Sequence, residues 1–379
     1  MKYSWSYKNI VRDINKLKRI AQEEKDIRKK CYYLKVIDYL NATIDESTLS
    51  NIDFRKTKNQ SMCEIMENVK FYKRYYDLIK KLYIECGKTV DIRNSLHNET
   101  YNMNYIYNPK YITHDKSLAY VYDFYKDIDK ELFDCFSKLY NNRYKLVKFS
   151  KNDELLSGLM TSGSSISVGG LDKTYITVSN DKGVLKCINL AHEFGHGILN
   201  IYNPNLLYNS KDDFSSEIGS IFFELAFNYD IGKSIDSYDS ALNNIQELDD
   251  RYDICNNLII HNALASTWEN NNYKTDSNFY KILKSEYDLT RQAVDDSLNT
   301  SITSEGLYAI GYMAALYLLN IYKKDKESAI KILKEIVNYN NIDSYELINV
   351  LMPNIDIYSY EIDDIHNTYS NELKKLIIK

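Results

Sequence analysis

A pair of histidines in the segment LAHEFGHGIL, residues 190–199, is the feature of the sequence that most directly suggests chemistry. Two of the chain's six histidines stand there four residues apart, on either side of a glutamate. On an α-helix such residues lie on one face, so His192 and His196 can point their imidazoles at a common position. Two neutral imidazoles suit a zinc ion, and Glu193 can reach a water on that ion as a general base. The segment therefore predicts a zinc site on a helix.

A third protein ligand is needed, because a catalytic zinc ion usually has three protein ligands and one open position. The continuation typical of metzincins, with a further glycine and histidine, is missing downstream, which excludes that class. The segment SSEIGSIFFELAFNY instead carries Glu217 and Glu224, seven residues apart and therefore on one helical face. One can bind the metal while the other supports a ligand. Glu217 is preferred, since Gly219 and Ser220 beside it allow close approach to the histidine helix.

Helices and one strand are predicted around these residues. Only three prolines and 12 glycines interrupt the 379 residues, and apolar residues recur at helical spacing from Ile10 to Ala21. Around residue 150 the composition changes, and the Gly/Ser-rich segment SGLMTSGSSISVGGLD leads into KTYITVS, which is predicted to be a strand, and then into the turn NDKG and the histidine helix. We predict a mainly α protein with a small β-sheet (α+β), divided into a helical N-terminal region, 1–145, and a catalytic region, 146–379.

Composition excludes several classes of partner. The 48 basic and 53 acidic residues give a formal net charge of −5, without a concentrated block of Lys and Arg for binding phosphates. No run of about 18 apolar residues is present, and the N-terminal segment lacks the apolar core of a signal peptide. The six cysteines are scattered without a CxxC pair, which suits reduced thiols. We expect a soluble, cytoplasmic protein that binds neither nucleic acid nor membranes.

The order of these segments resembles the M3 family of zinc metallopeptidases, and within it the oligoendopeptidase F branch. In that branch a strand and a turn precede an LAHExGH helix, which is matched here by YITVSNDKGVLKCINLAHEFGHGIL. The third ligand of the branch opens an ExxSxxxE pattern, matched by Glu217, Ser220 and Glu224. The segments NLIIHNALASTWENNNY and GLYAIGYMAALYL resemble the parts that follow. The resemblance covers about residues 170–379.

The resemblance implies a gluzincin-type zinc endopeptidase with peptide substrates, one Zn²⁺ per chain and helices that wall a peptide-binding cleft. It implies His192, His196 and Glu217 as metal ligands and Glu224 as a supporting residue. Two features depart from the family. The chain is shorter than typical members, and NTSITSEGLY lacks the histidine that the family commonly has just before its tyrosine segment.

Two tyrosines of that segment are candidates for stabilising the transition state. Tyr308 and Tyr312 lie one helical turn apart, so both hydroxyls can face the metal and donate hydrogen bonds to the oxyanion formed during amide attack. Because the chain has 36 tyrosines, a packing role in the fold is the competing interpretation. The resemblance favours the catalytic role, and the sequence leaves open which hydroxyl contacts the oxyanion.

The predicted strand, residues 174–179, is expected to bind substrate. An exposed edge beside the histidine helix can pair with the backbone of an extended peptide. The residues that would pair are Tyr175, Ile176, Thr177 and Val178.

A second class of function stays open: a catalytically weak module that binds zinc or peptides, or a processing enzyme dedicated to one peptide. Glu193 argues for catalysis, because a binding protein has no chemical need for a general base. The missing histidine and the short length favour the weaker activity.

Overall fold

The computed structural model describes the residues 5–44, 58–100, 109–150, 163–208, 213–270, 276–299, 305–338 and 357–377. These stretches are mainly helical and contain one small sheet, which confirms the predicted class. No helix within them is both long and apolar enough to span a membrane.

The secondary structure is as follows. The α-helices are α1 Tyr7–Glu23, α2 Ile27–Ile44, α3 Lys58–Tyr72, α4 Tyr76–Thr100, α5 His114–Ile128, α6 Lys130–Tyr140, α7 Arg143–Leu146, α8 Leu185–Tyr202, α9 Asp213–Phe227, α10 Lys233–Ile235, α11 Ser237–Asn270, α12 Asp276–Tyr287, α13 Arg291–Asn299, α14 Glu305–Tyr322, α15 Lys326–Asn338 and α16 Ile357–Ile377. Short 3₁₀ or π segments are Lys73–Tyr75, Pro204–Tyr208 and Asn228–Gly232. The strands are β1 Val147–Ser150, β2 Gly163–Val168 and β3 Lys173–Ser179.

The chain divides into two compact units, each assembled from separated parts of the sequence. The first unit, which holds the sheet, α8 and α9, consists of Met1–Ile52, Tyr105–Asn243 and Ala314–Lys379. The second consists of Asp53–Asn104 and Asn244–Met313. The predicted boundary near residue 145 stays a prediction, because it separates residues by role whereas these units are defined by packing.

The sheet places the predicted substrate strand at its centre. Its strand order is β1–β3–β2, with β3 parallel to β1 and antiparallel to β2. The expectation that residues 174–179 form an exposed edge is therefore wrong, because strands on both sides use the backbone groups of β3. The residues that this arrangement buries are Tyr175, Ile176, Thr177 and Val178.

Different helices cover the two faces of the sheet. On one face, Lys173 Nζ and the Tyr175 hydroxyl each donate a 2.8 Å hydrogen bond to the buried Asp13 of α1. On the other face α8 packs on β2 and β3, and Asn200 of α8 donates to the Ser167 hydroxyl of β2 at 2.9 Å. The sheet thus fixes the helix that carries the two histidines.

Candidate metal centre

α8 begins after a tight turn that is closed by a carboxylate. Gly183 has φ +72°, a left-handed conformation that favours glycine. A Cβ on Gly183 would lie 2.1 Å from Asp239 Oδ2, the atom that accepts the N–H of Val184 at 2.5 Å. The turn therefore requires glycine, and Asp239 satisfies one backbone donor at the start of the helix.

Small residues bring α9 close to α8. A Cβ on Gly195 would lie 3.2 Å from Ser220 Cα, and a Cβ on Gly219 would lie 2.2 Å from Leu199 Cδ1. Glycine inside a helix lowers its stability by roughly 1 kcal/mol relative to alanine. The close contact between the two helices explains why glycine is present at both positions. The close approach predicted from Gly219 and Ser220 is confirmed, and it brings Glu217 to the histidines.

Three side-chain donors converge between the two helices. The distance between His192 Nε2 and His196 Nε2 is 3.2 Å. Glu217 Oε1 lies 3.8 Å from His192 Nε2, and Glu217 Oε2 lies 3.4 Å from His196 Nε2. Within the described residues these three side chains form a group that could hold a metal ion.

The spacing of the donors fits a tetrahedral zinc site. Zinc bonds to nitrogen and oxygen are about 2.0–2.2 Å long, so two ligands at the tetrahedral angle are about 3.3–3.6 Å apart. Of the three observed distances, 3.4 Å lies within this interval, 3.2 Å lies just below it and 3.8 Å lies just above it; the two distances to Glu217 are measured to different oxygens of its carboxylate. Two imidazoles and one carboxylate leave a fourth position open, as in catalytic zinc sites.

The second nitrogen of each imidazole is held by α9. His192 Nδ1 lies 2.9 Å from Glu224 Oε2, and His196 Nδ1 lies 2.9 Å from Ser216 Oγ. An Nδ1–H donated to these oxygens leaves the Nε2 lone pair directed at the other donors, as metal-binding histidines require. Glu217 is thus on the donor side and Glu224 behind His192, and their roles toward a metal stay predictions.

Charge makes the two histidines unequal. Burial lowers the pKa of His192, but the hydrogen bond to Glu224 and the charges of Glu217 and Glu193 raise it in sum to about 9. Burial and the charge of His192 hold the pKa of His196 well below its usual range. Because a ligand imidazole must be neutral, a metal ion that binds here displaces the proton of His192.

Glu193 lies beside the donors and against β2. Ser165 donates a hydrogen bond to its carboxylate, and a Cβ on Gly163 would lie 2.7 Å from its Oε1. Burial raises the pKa of Glu193 to about 7, although the charge of His192 opposes the shift. A carboxyl group with a pKa near neutrality can both accept and return a proton. Its Oε2 is buried and has no hydrogen-bond partner in the part of the chain that the structure describes.

The two candidate tyrosines lie on α14, in the second unit. Their side chains differ in exposure, since Tyr308 is 36% exposed and Tyr312 is 0% exposed. The guanidinium of Arg251 lies 5.7 Å and 5.2 Å from the centroids of their rings, which are cation–π contacts. Their role toward an oxyanion stays a prediction, and Tyr308 is the one of the two that offers surface to a ligand.

Gly163, Ser165 and Ser216 contact the site although nothing in the sequence singles them out. Ser216 precedes Glu217 and is one serine of an ordinary pair. For β2 a weak signal exists, because Ile166 and Val168 alternate with small residues as in a strand. The abundance of glycine and serine in the same segment indicates a loop equally well.

Comparisons with known proteins add little to this geometry. No protein-family model matches the chain, and no curated protein matches it. The chain is similar to the solved structure of "a putative oligoendopeptidase F from Bacillus anthracis str. Ames", with a TM-score of 0.46 and 13% identity. The alignment covers 95% of this chain, which spans 65% of that protein's chain. A similarity of this size carries no argument about the site.

Proposed function

We propose that the chain is a zinc-dependent endopeptidase that hydrolyses peptide bonds in short or unstructured peptides. The observation that carries the proposal is the triangle of His192 Nε2, His196 Nε2 and the Glu217 carboxylate, with sides of 3.2–3.8 Å. Glu193 lies next to this triangle and is buried. A structural zinc site needs neither an open coordination position nor a carboxyl group poised near neutral pH.

Glu193 transfers the proton in this proposal. His192, His196 and Glu217 would hold a zinc ion, which would supply the Lewis acidity that makes water nucleophilic at neutral pH. Glu193 accepts the proton of the attacking water and returns it to the leaving amine. Ser165 donates to the Glu193 carboxylate and so keeps it oriented during both transfers.

β2 is the strand that we propose to bind the peptide backbone. It lies at an edge of the sheet formed by the described residues, and residues 163–167 are partly exposed. Its contacts with Glu193 run through Gly163 and Ser165. A peptide that pairs with this edge gains backbone hydrogen bonds, which give affinity with little sequence preference. β2 thereby takes the role expected of residues 174–179.

The oxyanion role predicted from the sequence for Tyr308 requires that its replacement by phenylalanine lower kcat about 10²- to 10³-fold with a small change in KM, because one hydrogen-bond donor is removed. Tyr312→Phe is the matched control, since Tyr312 lies one helical turn from Tyr308 and its side chain has no exposed surface. We expect near wild-type kcat for that control in steady-state assays on one quenched peptide. Near wild-type kcat in both variants would assign both tyrosines to packing.

Zinc content and peptide cleavage together test the proposed function. Purified protein should carry about one zinc per chain, cut members of a quenched peptide library and spare stably folded proteins, because pairing with a strand requires an extended chain. Chelation should abolish cleavage and added zinc should restore it. Bound zinc without any cleavage would favour the binding module, and cleavage of a single library member would favour the dedicated processing enzyme. Efficient cutting of a folded protein would contradict the proposed substrate class.

A further inference from the structure

The backbone groups of β2 alternate between its two sides. β2 pairs antiparallel with β3 along its whole length. In such a pair, residues that exchange hydrogen bonds with the partner strand alternate with residues whose N–H and C=O point away from it. The carbonyl of Ser167 accepts a hydrogen bond from Tyr32 of α2, which lies outside the sheet, so Ser167 points away from β3. By the same alternation, the backbone N–H and C=O groups of Gly163 and Ser165 also point away from β3.

The side chains of β2 agree with this alternation. Ser165 donates to Glu193, and Ser167 Oγ accepts from Asn200, so both side chains face α8. Gly163 has the same parity and lies against Glu193. The residues whose backbone groups point outward are therefore the ones next to the proposed general base. A peptide that pairs with Gly163 and Ser165 lies beside Glu193.

Tyr32 closes this edge at one end. Its hydroxyl donates to the carbonyl of Ser167 at 2.5 Å. A Cβ on Gly169 would lie 2.9 Å from Tyr32 Cε1, so the ring lies against the turn that follows β2. Tyr208 holds the ring in an edge-to-face contact, with centroids 5.4 Å apart. Tyr32 thus takes both the hydrogen-bond acceptor and the space that a longer peptide would use.

We propose that Tyr32 is a specificity-determining residue that limits how far a bound peptide extends along β2. The inference rests on the proposed function. Among the described residues no strand pairs with the outward side of β2 at Gly163 and Ser165, and pairing there ends before Ser167, which is about 7 Å beyond Ser165 along the strand. A peptide residue opposite Ile166 still fits, and the next one finds its backbone partner taken by Tyr32. Lengthening a peptide at this end therefore adds no backbone hydrogen bond.

Peptide affinity as a function of length tests the limit. The zinc-loaded Glu193→Gln protein should bind peptides and cut them about 10²- to 10⁴-fold more slowly than the wild type, so that binding can be measured before cleavage. The probe is the best-cleaved library peptide, extended at either end by one alanine at a time. At one end, Kd should stop improving at a fixed length. Tyr32→Ala in the same background should move that limit outward by two residues and lower Kd about 2- to 10-fold, the equivalent of one net hydrogen bond. The other end should not change.

A control variant and a modified peptide make the test specific. Tyr33→Phe removes a neighbouring hydroxyl that contacts Tyr208, 3.1 Å away, so the length limit should stay where it is. N-methylation of single amides of the peptide is a second test that leaves Tyr32 unchanged in the protein. Each methyl group that blocks a pairing amide should raise Kd about 2- to 10-fold, and methyl groups beyond the limit should have no effect.

The outcomes separate this inference from the proposed function. An unchanged limit in the Tyr32→Ala protein, or methylation costs that continue past the limit, would overturn the role of Tyr32 and leave the peptidase proposal intact. If no peptide binds to the zinc-loaded protein, both fail. Should Tyr32→Ala not fold, the methylation series on the Glu193→Gln protein decides. A rise in Kd that stops for methyl groups beyond the length limit supports the closed edge, and a rise that continues beyond the limit refutes it.

Discussion

Replacement of Glu217 by alanine is expected to remove zinc from the protein and to abolish peptide cleavage. The two imidazoles, with Nε2 atoms 3.2 Å apart, are the donors that remain of the three. Loss of a residue that merely orients a ligand costs about 10- to 100-fold in metal affinity, so loss of a ligand itself should cost more than about 100-fold. The zinc content measured by elemental analysis after dialysis should fall from about one zinc per chain in the wild type to trace levels in the variant.

Glu224→Ala is the matched control for this change, because it removes a carboxylate from the same face of the same helix. It deletes the hydrogen bond to His192 Nδ1 and none of the three proposed ligands. Zinc affinity should fall about 10- to 100-fold, and added zinc should restore both occupancy and cleavage. If the Glu217→Ala variant kept its zinc and the Glu224→Ala variant lost it, the two glutamates would have to exchange their proposed roles.

Local helix geometry explains why the donors of the site could be predicted from the sequence. His192 and His196 share a face because four residues make about one turn, and Glu217 and Glu224 do so because seven make about two. These relations need no knowledge of the tertiary structure. The small residue Gly219 then indicates which face of the second helix approaches the first. The spacings allow the three donors to converge, and the packing of α9 on α8 brings them together.

The sheet could be predicted only in part. The β-branched residues of β3 mark it as a strand, but its place in the sheet depends on β1 and β2. β1 has four residues, and β2, GSSISV, consists mostly of glycine and serine, so neither has a strong apolar pattern. Strand order also depends on contacts between distant parts of the chain. The expectation of an exposed edge at residues 174–179 fails for this reason, and β2 is an edge strand of the sheet formed by the described residues.

Hydrogen bonds that orient the site could not be predicted either. Ser216 contacts His196 and Ser165 contacts Glu193 only because α9 and β2 pack on α8 in one particular way. The residue type allows such a contact and does not specify it, since the direction of each hydroxyl depends on the rotamer and on the backbone that carries it. The length limit inferred at Tyr32 is of the same kind.

Replacement of Glu193 by glutamine should lower kcat about 10²- to 10⁴-fold, because it removes the group that accepts and returns the proton. Glutamine has nearly the same shape, and its amide oxygen can still accept the hydrogen bond from Ser165. Glu193 is not one of the three converging donors, so zinc content should not change. Peptide affinity should also stay near that of the wild type, which would confine the effect to the chemical step.

Comparison with Glu335→Gln separates this effect from traces of other peptidases. Glu335 is an exposed residue of α15, so its variant should match the wild type in kcat, KM and zinc content. A contaminating peptidase would give both preparations the same activity, whereas the proposed mechanism predicts about 10²- to 10⁴-fold slower cleavage by the Glu193→Gln protein than by the Glu335→Gln protein. If zinc-loaded Glu193→Gln protein kept wild-type kcat through repeated purification, proton transfer would belong to another group. The preference for a catalyst over a zinc- or peptide-binding module would then lose its main support, because it depends on the position and the raised pKa of Glu193.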